Sequence, residues 1–372
     1  MRLRPRKGIE RMDRCVHGGI NHAEVRGYGL DPAKVLDFSS NINPLGPPFD
    51  LARLLEADMA RYPDPAAEEL RALLAQKHRV DVGQIFVGNG TGEIIRLLAL
   101  AYLQRGDRVV VMAPTFGEYA YAARIAGAGV IEYRTRAESD FVPDWEAFVS
   151  FLGRHRPRLV FLCNPNNPTG YYLDAADFAA VLQQAPGLVV LDEAYVNFVR
   201  DAWSSETFLP AGNLVVLRSM TKDYALAGLR LGYALGPKEV VRVLERVAPP
   251  WNVNAFAQRA GVLALQSDDY LARTRVAVAE SLAFLQRGLR ERGFHPLGTQ
   301  ANFFLLPVGD AALFRRRLLR RGILVRDCAS FGLPAYARLA ARPLHECHIL
   351  LDALGEGDGF WLTLPATGGI IP

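Results

Sequence analysis

From about residue 84 onward the chain alternates short apolar, β-rich runs with helical stretches, and this alternation limits the fold more than any other feature. "QIFVG" precedes the helical "GEIIRLLALAYLQRG", "DRVVVMAP" precedes "TFGEYAYAARIAG", and "RLVFLCNP" precedes "DAADFAAVLQQA". "LVVLDEAY", "NLVVLRS" and "RLGYALG" follow. A strand with one wet face alternates polar and apolar residues; these runs do not, so they suit strands buried on both faces. The expected fold class is α/β, with a mostly parallel central sheet covered by helices in a large domain. Ligands of such sheets bind beyond the carboxyl ends of the strands.

The pattern changes near "APPWNVNAFAQRA". A helical stretch from Asp268 to Arg292 follows, then "NFFLLPV", "GILVRDC", "YARLAARP" and a last helix. This reads as a smaller α+β domain. The expected boundaries are an N-terminal segment, 1–44, packing with the small domain; a large α/β domain, 45–255; and the small domain, 256–372. The start before Met12 reads as frayed or extended, and the tail "TLPATGGIIP" as irregular.

Composition excludes several classes of function. Hydrophobic residues make up 50% and charged residues 22%, ordinary for a soluble globular protein. A net charge of +4 over 372 residues is too small and scattered for nucleic-acid binding. No apolar run has membrane-spanning length, and the basic N-terminus lacks the apolar stretch of a signal peptide, so a cytoplasmic protein is expected. The four Cys form no CxxC pair and the His residues show no metal-ligand spacing, so reduced thiols and no metal are expected. Only five of the 43 basic residues are Lys. Amine chemistry is therefore sought at those five positions.

The strand ends carry the chemistry. Asn89-Gly90-Thr91-Gly92 follows the first run and opens a helix, where free backbone N–H groups can hold an anion. Phe116 follows the second, "NPNNPTG" (Asn164 to Gly170) the third, Asp192 and Tyr195 the fourth, and Ser219, Thr221, Lys222 and Arg230 the fifth. Each alone reads equally well as a turn residue, a cap or an exposed charge. Together they put a lysine, a carboxylate, an aromatic ring and an anion cradle at one end of one sheet. That set suggests pyridoxal 5'-phosphate: an amine to bond its aldehyde, and a carboxylate to keep its pyridine nitrogen protonated.

"NPNNPTG", "DEAY" and "SMTK…GLRLGY", in this order and spacing, resemble fold-type I pyridoxal-phosphate enzymes of the histidinol-phosphate aminotransferase-like group, over nearly the whole chain. The resemblance implies that Lys222 bonds the cofactor and that Asp192 faces the pyridine nitrogen. Tyr195 and Asn167 would meet the ring's 3'-oxygen, and Phe116 would stack on the ring. Thr91, Gly92, Ser219, Thr221 and Arg230 would hold the cofactor phosphate, with Tyr62 reaching it from a partner subunit. A homodimer with shared sites is therefore expected. Arg338 would clamp a substrate carboxylate, while Arg326, His17 and Asn41 would meet a substrate phosphate.

Within the group, "HGG" (His17 to Gly19), "DFSSNINPLGPP", "RYPDP" and "RDCASFGLPAYARLAARP" resemble the threonine-phosphate decarboxylases of cobalamin synthesis. The expected reaction, as this resemblance implies, is decarboxylation of L-threonine O-3-phosphate to (R)-1-aminopropan-2-yl phosphate, with histidinol-phosphate or aromatic aminotransferase as the alternative.

Overall fold

The computed structural model describes residues 6 and 8–355. The tail expected to be irregular lies outside them, as do residues 1–5 and 7. A short 3-10 turn, Ile9–Arg11, replaces part of the start expected to be frayed.

Twelve strands are present among the described residues: β1 (Leu36–Asp37), β2 (Ile85–Gly88), β3 (Arg108–Ala113), β4 (Gly129–Arg134), β5 (Leu159–Cys163), β6 (Leu188–Asp192), β7 (Leu214–Ser219), β8 (Gly232–Leu235), β9 (Phe303–Pro307), β10 (Ile323–Leu324), β11 (Arg326–Asp327) and β12 (Tyr336–Ala340). Seven form the central sheet, in the order β2-β8-β7-β6-β5-β3-β4. Strands β3 to β7 pair in parallel, and β8 lies antiparallel between β2 and β7.

Successive residues of a strand point to opposite faces, and here both faces are core. Val160, Leu162, Val189, Leu191 and Val216 join one apolar cluster. Their neighbours Leu159, Phe161, Val190, Val215 and Leu217 join another on the opposite face. This is why the sequence runs show no alternation. Each fully buried side chain contributes roughly 1.5–3 kcal/mol.

Strand β4 was not foreseen from the sequence. It is an edge strand, paired only with β3, and its residues are half-buried or exposed. It therefore carries Glu132 and Arg134 where inner strands carry Val and Leu.

The second sheet is antiparallel, in the order β11-β12-β9. Its core joins Phe304 and Leu306 to Leu285 and Leu289 of the helix Tyr270–Glu291, slightly shorter than expected, and to Leu350 of the helix Leu344–Gly355. Phe38 is buried in that same cluster. The N-terminal segment is anchored there by β1, which pairs in parallel with β10, and by a two-pronged ion pair from Arg315 to Glu24. Among the described residues, no helix is long and apolar enough to cross a membrane.

Candidate active site

The carboxyl ends of the parallel strands open into a cavity of about 1120 Å³. Asp192 and Ser219 are the last residues of β6 and β7. Thr91, Gly92, Phe116, Asn167, Tyr195, Thr221, Lys222 and Arg230 occupy the turns and helix start beyond the strands, and all line the cavity. His17, Asn41, Arg326 and Arg338 complete the wall from the N-terminal segment and the smaller sheet.

One end is built to hold an anion. The helix Thr91–Tyr102 begins after Gly90, which offers no capping side chain, so its first N–H groups face the cavity uncapped. Gly90 has φ +75°, and a Cβ there would stand 3.0 Å from a guanidinium nitrogen of Arg230. A Cβ on Gly232 would lie 2.8 Å from the Thr91 nitrogen. Both glycines let the helix start, Arg230 and β8 close together. The hydroxyls of Ser219 and Thr221 lie 2.7 Å apart beside them.

Asp192 is 3% exposed. Its Oδ2 accepts from the Tyr119 hydroxyl at 2.7 Å and its Oδ1 from the Ala194 N–H at 3.1 Å. Burial pushes its carboxyl up to about 6, against those two bonds. Tyr119 was missed in the sequence, hidden inside a helical run. It is fully buried and stacks on Phe161, so packing fixes the hydroxyl that orients Asp192.

Burial, then the charges of Arg338 and Arg230, hold the Lys222 ammonium down to about 8, with Asp37 opposing them. The Tyr195 hydroxyl accepts from Asn41 Nδ2 at 3.2 Å, and burial raises it to about 12.

The three asparagines of the "NPNNPTG" turn divide the work. Asn164 Oδ1 accepts from the Leu173 N–H at 2.8 Å. Asn166 donates to the Pro114 carbonyl and to Thr169, and accepts from Thr115. These two brace the turn, while Asn167 faces the cavity and accepts from Arg338.

Arg326 and Arg338 are register partners on β11 and β12. Both are buried. Arg338 donates to Asn167 and to the Ser39 carbonyl, and lies over the Phe303 ring. Arg326 donates to the carbonyls of Val16 and His17 and to Ser330. Among the described residues, neither pairs with a carboxylate. Burial lowers both guanidinium pKa values, and Arg338 lowers that of Arg326 further. Their Nε atoms and the Asn41 Oδ1 are buried without partners.

One expected residue sits differently. The His17 ring bonds Glu118 at 2.9 Å, so only its carbonyl meets Arg326, and a phosphate there would face the Glu118 carboxylate. Tyr62, expected to serve a partner's site, is not part of this chain's own cavity wall; it is 76% exposed and stacked on Trp251.

The uncapped helix start, the paired hydroxyls and Arg230 fit a phosphate. Asp192 fits a protonated ring nitrogen and Lys222 an aldehyde. The set as a whole therefore fits pyridoxal 5'-phosphate.

Comparison with known proteins agrees. The family model for aminotransferase class I and II matches residues 33–354. A histidinol-phosphate aminotransferase 1 of Thiobacillus denitrificans is 40% identical over 340 residues, 89% of this chain and 88% of that protein. The crystal structure of histidinol-phosphate aminotransferase from Sinorhizobium meliloti in complex with pyridoxal-5'-phosphate superposes with a TM-score of 0.84 at 25% identity, covering 96% of this chain and 98% of that one.

These findings overturn the expected decarboxylase. The curated relatives at 35–40% identity are named histidinol-phosphate aminotransferases. The L-threonine-O-3-phosphate decarboxylase structure from Porphyromonas gingivalis is one neighbour among several, with a TM-score of 0.76, 28% identity, and coverage of 86% of this chain and 98% of that one. Three of the four segments behind the expectation reach the cavity wall, through His17, Asn41, Arg326 and Arg338, while "RYPDP" lies outside it. None of these residues reports which bond at Cα breaks. The chain belongs to the aminotransferase class I and II family.

Proposed function

We propose that the chain moves the amino group of histidinol phosphate to a 2-oxo acid such as 2-oxoglutarate. The cofactor is pyridoxal 5'-phosphate. The observation that carries the proposal is that Lys222 shares one cavity with two buried arginines that, among the described residues, lack carboxylate partners. The name shared by the relatives supports the substrate.

In this reading Lys222 bonds the cofactor and Asp192 holds the pyridine nitrogen protonated. Asn167 and Tyr195 meet the 3'-oxygen, and Phe116 covers the ring. Thr91, Gly92, Ser219, Thr221 and Arg230 hold the phosphate. When bound, the cofactor supplies a sink for the electron pair left on Cα when a bond there breaks.

The chain's own groups then select the bond. Nζ of Lys222, whose ammonium is disfavoured by burial, can accept the Cα proton. Tyr119 fixes Asp192 so that its negative charge stays at the ring nitrogen. Arg338 orients the carboxylate of the oxo acid through its planar fork, and Arg326 and Asn41 receive the phosphate of histidinol phosphate. Binding energy taken from these remote anions fixes the Cα orientation before the proton leaves.

The reading includes a pair of chains, with Tyr62 of the partner subunit reaching the cofactor phosphate. Exposed Leu51, Leu55 and Met59 in the same stretch of chain as Tyr62 support it. Inactive Lys222→Ala and Tyr62→Ala chains should regain activity when mixed if sites are shared.

The direct test supplies histidinol phosphate with 2-oxoglutarate and measures glutamate. Steady glutamate formation is expected. Carbon dioxide release from threonine phosphate, with no glutamate, would refute the reading.

A further inference from the structure

Three side chains with no part in that chemistry meet at the cavity wall. Ligand atoms of Cys15, His17 and Glu118 all lie within 4.8 Å of one another. Cys15 and His17 belong to the N-terminal segment, and Glu118 opens the helix Glu118–Ala126. The approach is close because residue 117 is glycine: a Cβ there would stand 2.8 Å from Cys15 Sγ. All three residues line the cavity, which leaves one side of the cluster open to a further ligand.

We propose that Cys15 Sγ, a ring nitrogen of His17 and a carboxylate oxygen of Glu118 bind one thiophilic divalent cation of the zinc type. A thiolate, an imidazole and a carboxylate form a zinc donor set, with the open side left for water or an anion. Magnesium and calcium prefer oxygen-only shells and should not compete. Glu118 is prepared for the role. Arg96 holds its Oε2 at 3.2 Å, fixing the carboxylate while Oε1 turns to His17. Binding sends the thiol proton and any second imidazole proton to solvent.

The metal would tie the N-terminal segment to the helix Glu118–Ala126. The carbonyls of Val16 and His17, which hold Arg326, lie on that segment. An occupied site would therefore fix the backbone that positions an anion-binding arginine.

The test uses metal-free holoenzyme. Equilibrium dialysis against zinc, with bound metal counted by mass spectrometry, is combined with iodoacetamide alkylation mapped by peptide mass. The expected results are about one zinc per chain, protection of Cys15 by zinc but not by magnesium, and affinity at least about tenfold weaker in Cys15→Ser and Glu118→Gln. Equal zinc binding by the parent and Cys15→Ser, or Cys15 alkylated at an unchanged rate in saturating zinc, would overturn the proposal.

Discussion

Arg218 and Arg338 are both buried arginines on strands, yet their surroundings are opposite. Arg218 lies 2.7 Å from Glu193 and 3.2 Å from Glu206, and Glu206 in turn holds His78. Its charge is answered inside the protein. Among the described residues, Arg338, which faces Arg326 across the register, itself meets only carbonyl and amide oxygens and an aromatic face. A buried cation without an anion is costly. The first arrangement braces the strand ends that present Asp192 and Ser219; the second is the one assigned above to a substrate anion. Burial alone does not separate them. The presence or absence of a carboxylate does.

The largest expected effect is on stability. Arg218→Met leaves Glu193 and Glu206 facing each other and should cost about 3–5 kcal/mol in denaturant unfolding. The KM values of the folded fraction should stay near those of the parent. Arg338→Met should do the reverse, raising the barrier by about 2–5 kcal/mol in kcat/KM for the oxo acid. Its unfolding midpoint should move little, because relief of a buried charge offsets the lost bonds to Asn167 and Ser39. If both variants lose stability equally, the two arginines do not differ as argued.

Much of this contrast was out of reach of the sequence. Asp192, Asn167 and Lys222 were legible because strand, turn and polar residue stand together in the chain. The sheet was legible because both faces of its strands are core. The arginine surroundings were not, because partners such as His17 and Arg326 are 309 positions apart. Edge strand β4 escaped because a half-wet strand carries charges. Tyr119 escaped because its role depends on a strand far along the chain. The choice of reaction was out of reach because the short segments behind it, three of them at the cavity wall, do not report which bond at Cα breaks.

A smaller effect is expected at Arg326. Arg326→Ala should cost about 1.5–3 kcal/mol in kcat/KM for histidinol phosphate, the range for hydrogen bonds to charged groups. Competing salt should narrow the gap between variant and parent.

The smallest effect is on Lys222. Its ammonium is held down to about 8, partly by Arg338, whereas Arg218 is not among the causes. In the cofactor-free protein the unfolded chain holds that proton more tightly. Stability should therefore rise with pH from about 8 toward the ordinary lysine value of about 10.5. Below about 8 the penalty is present in full. Arg338→Met should move the amine's reactivity midpoint upward, read by the pH dependence of its modification with an acylating reagent. Arg218→Met should leave that midpoint in place.

The most direct measurement compares kcat/KM for histidinol phosphate with that for unphosphorylated histidinol, in the parent and in Arg326→Met. A strong preference for the phosphate ester is expected in the parent and should collapse in the variant. A parent that uses histidinol equally well, or a preference that survives in Arg326→Met, would contradict that expectation.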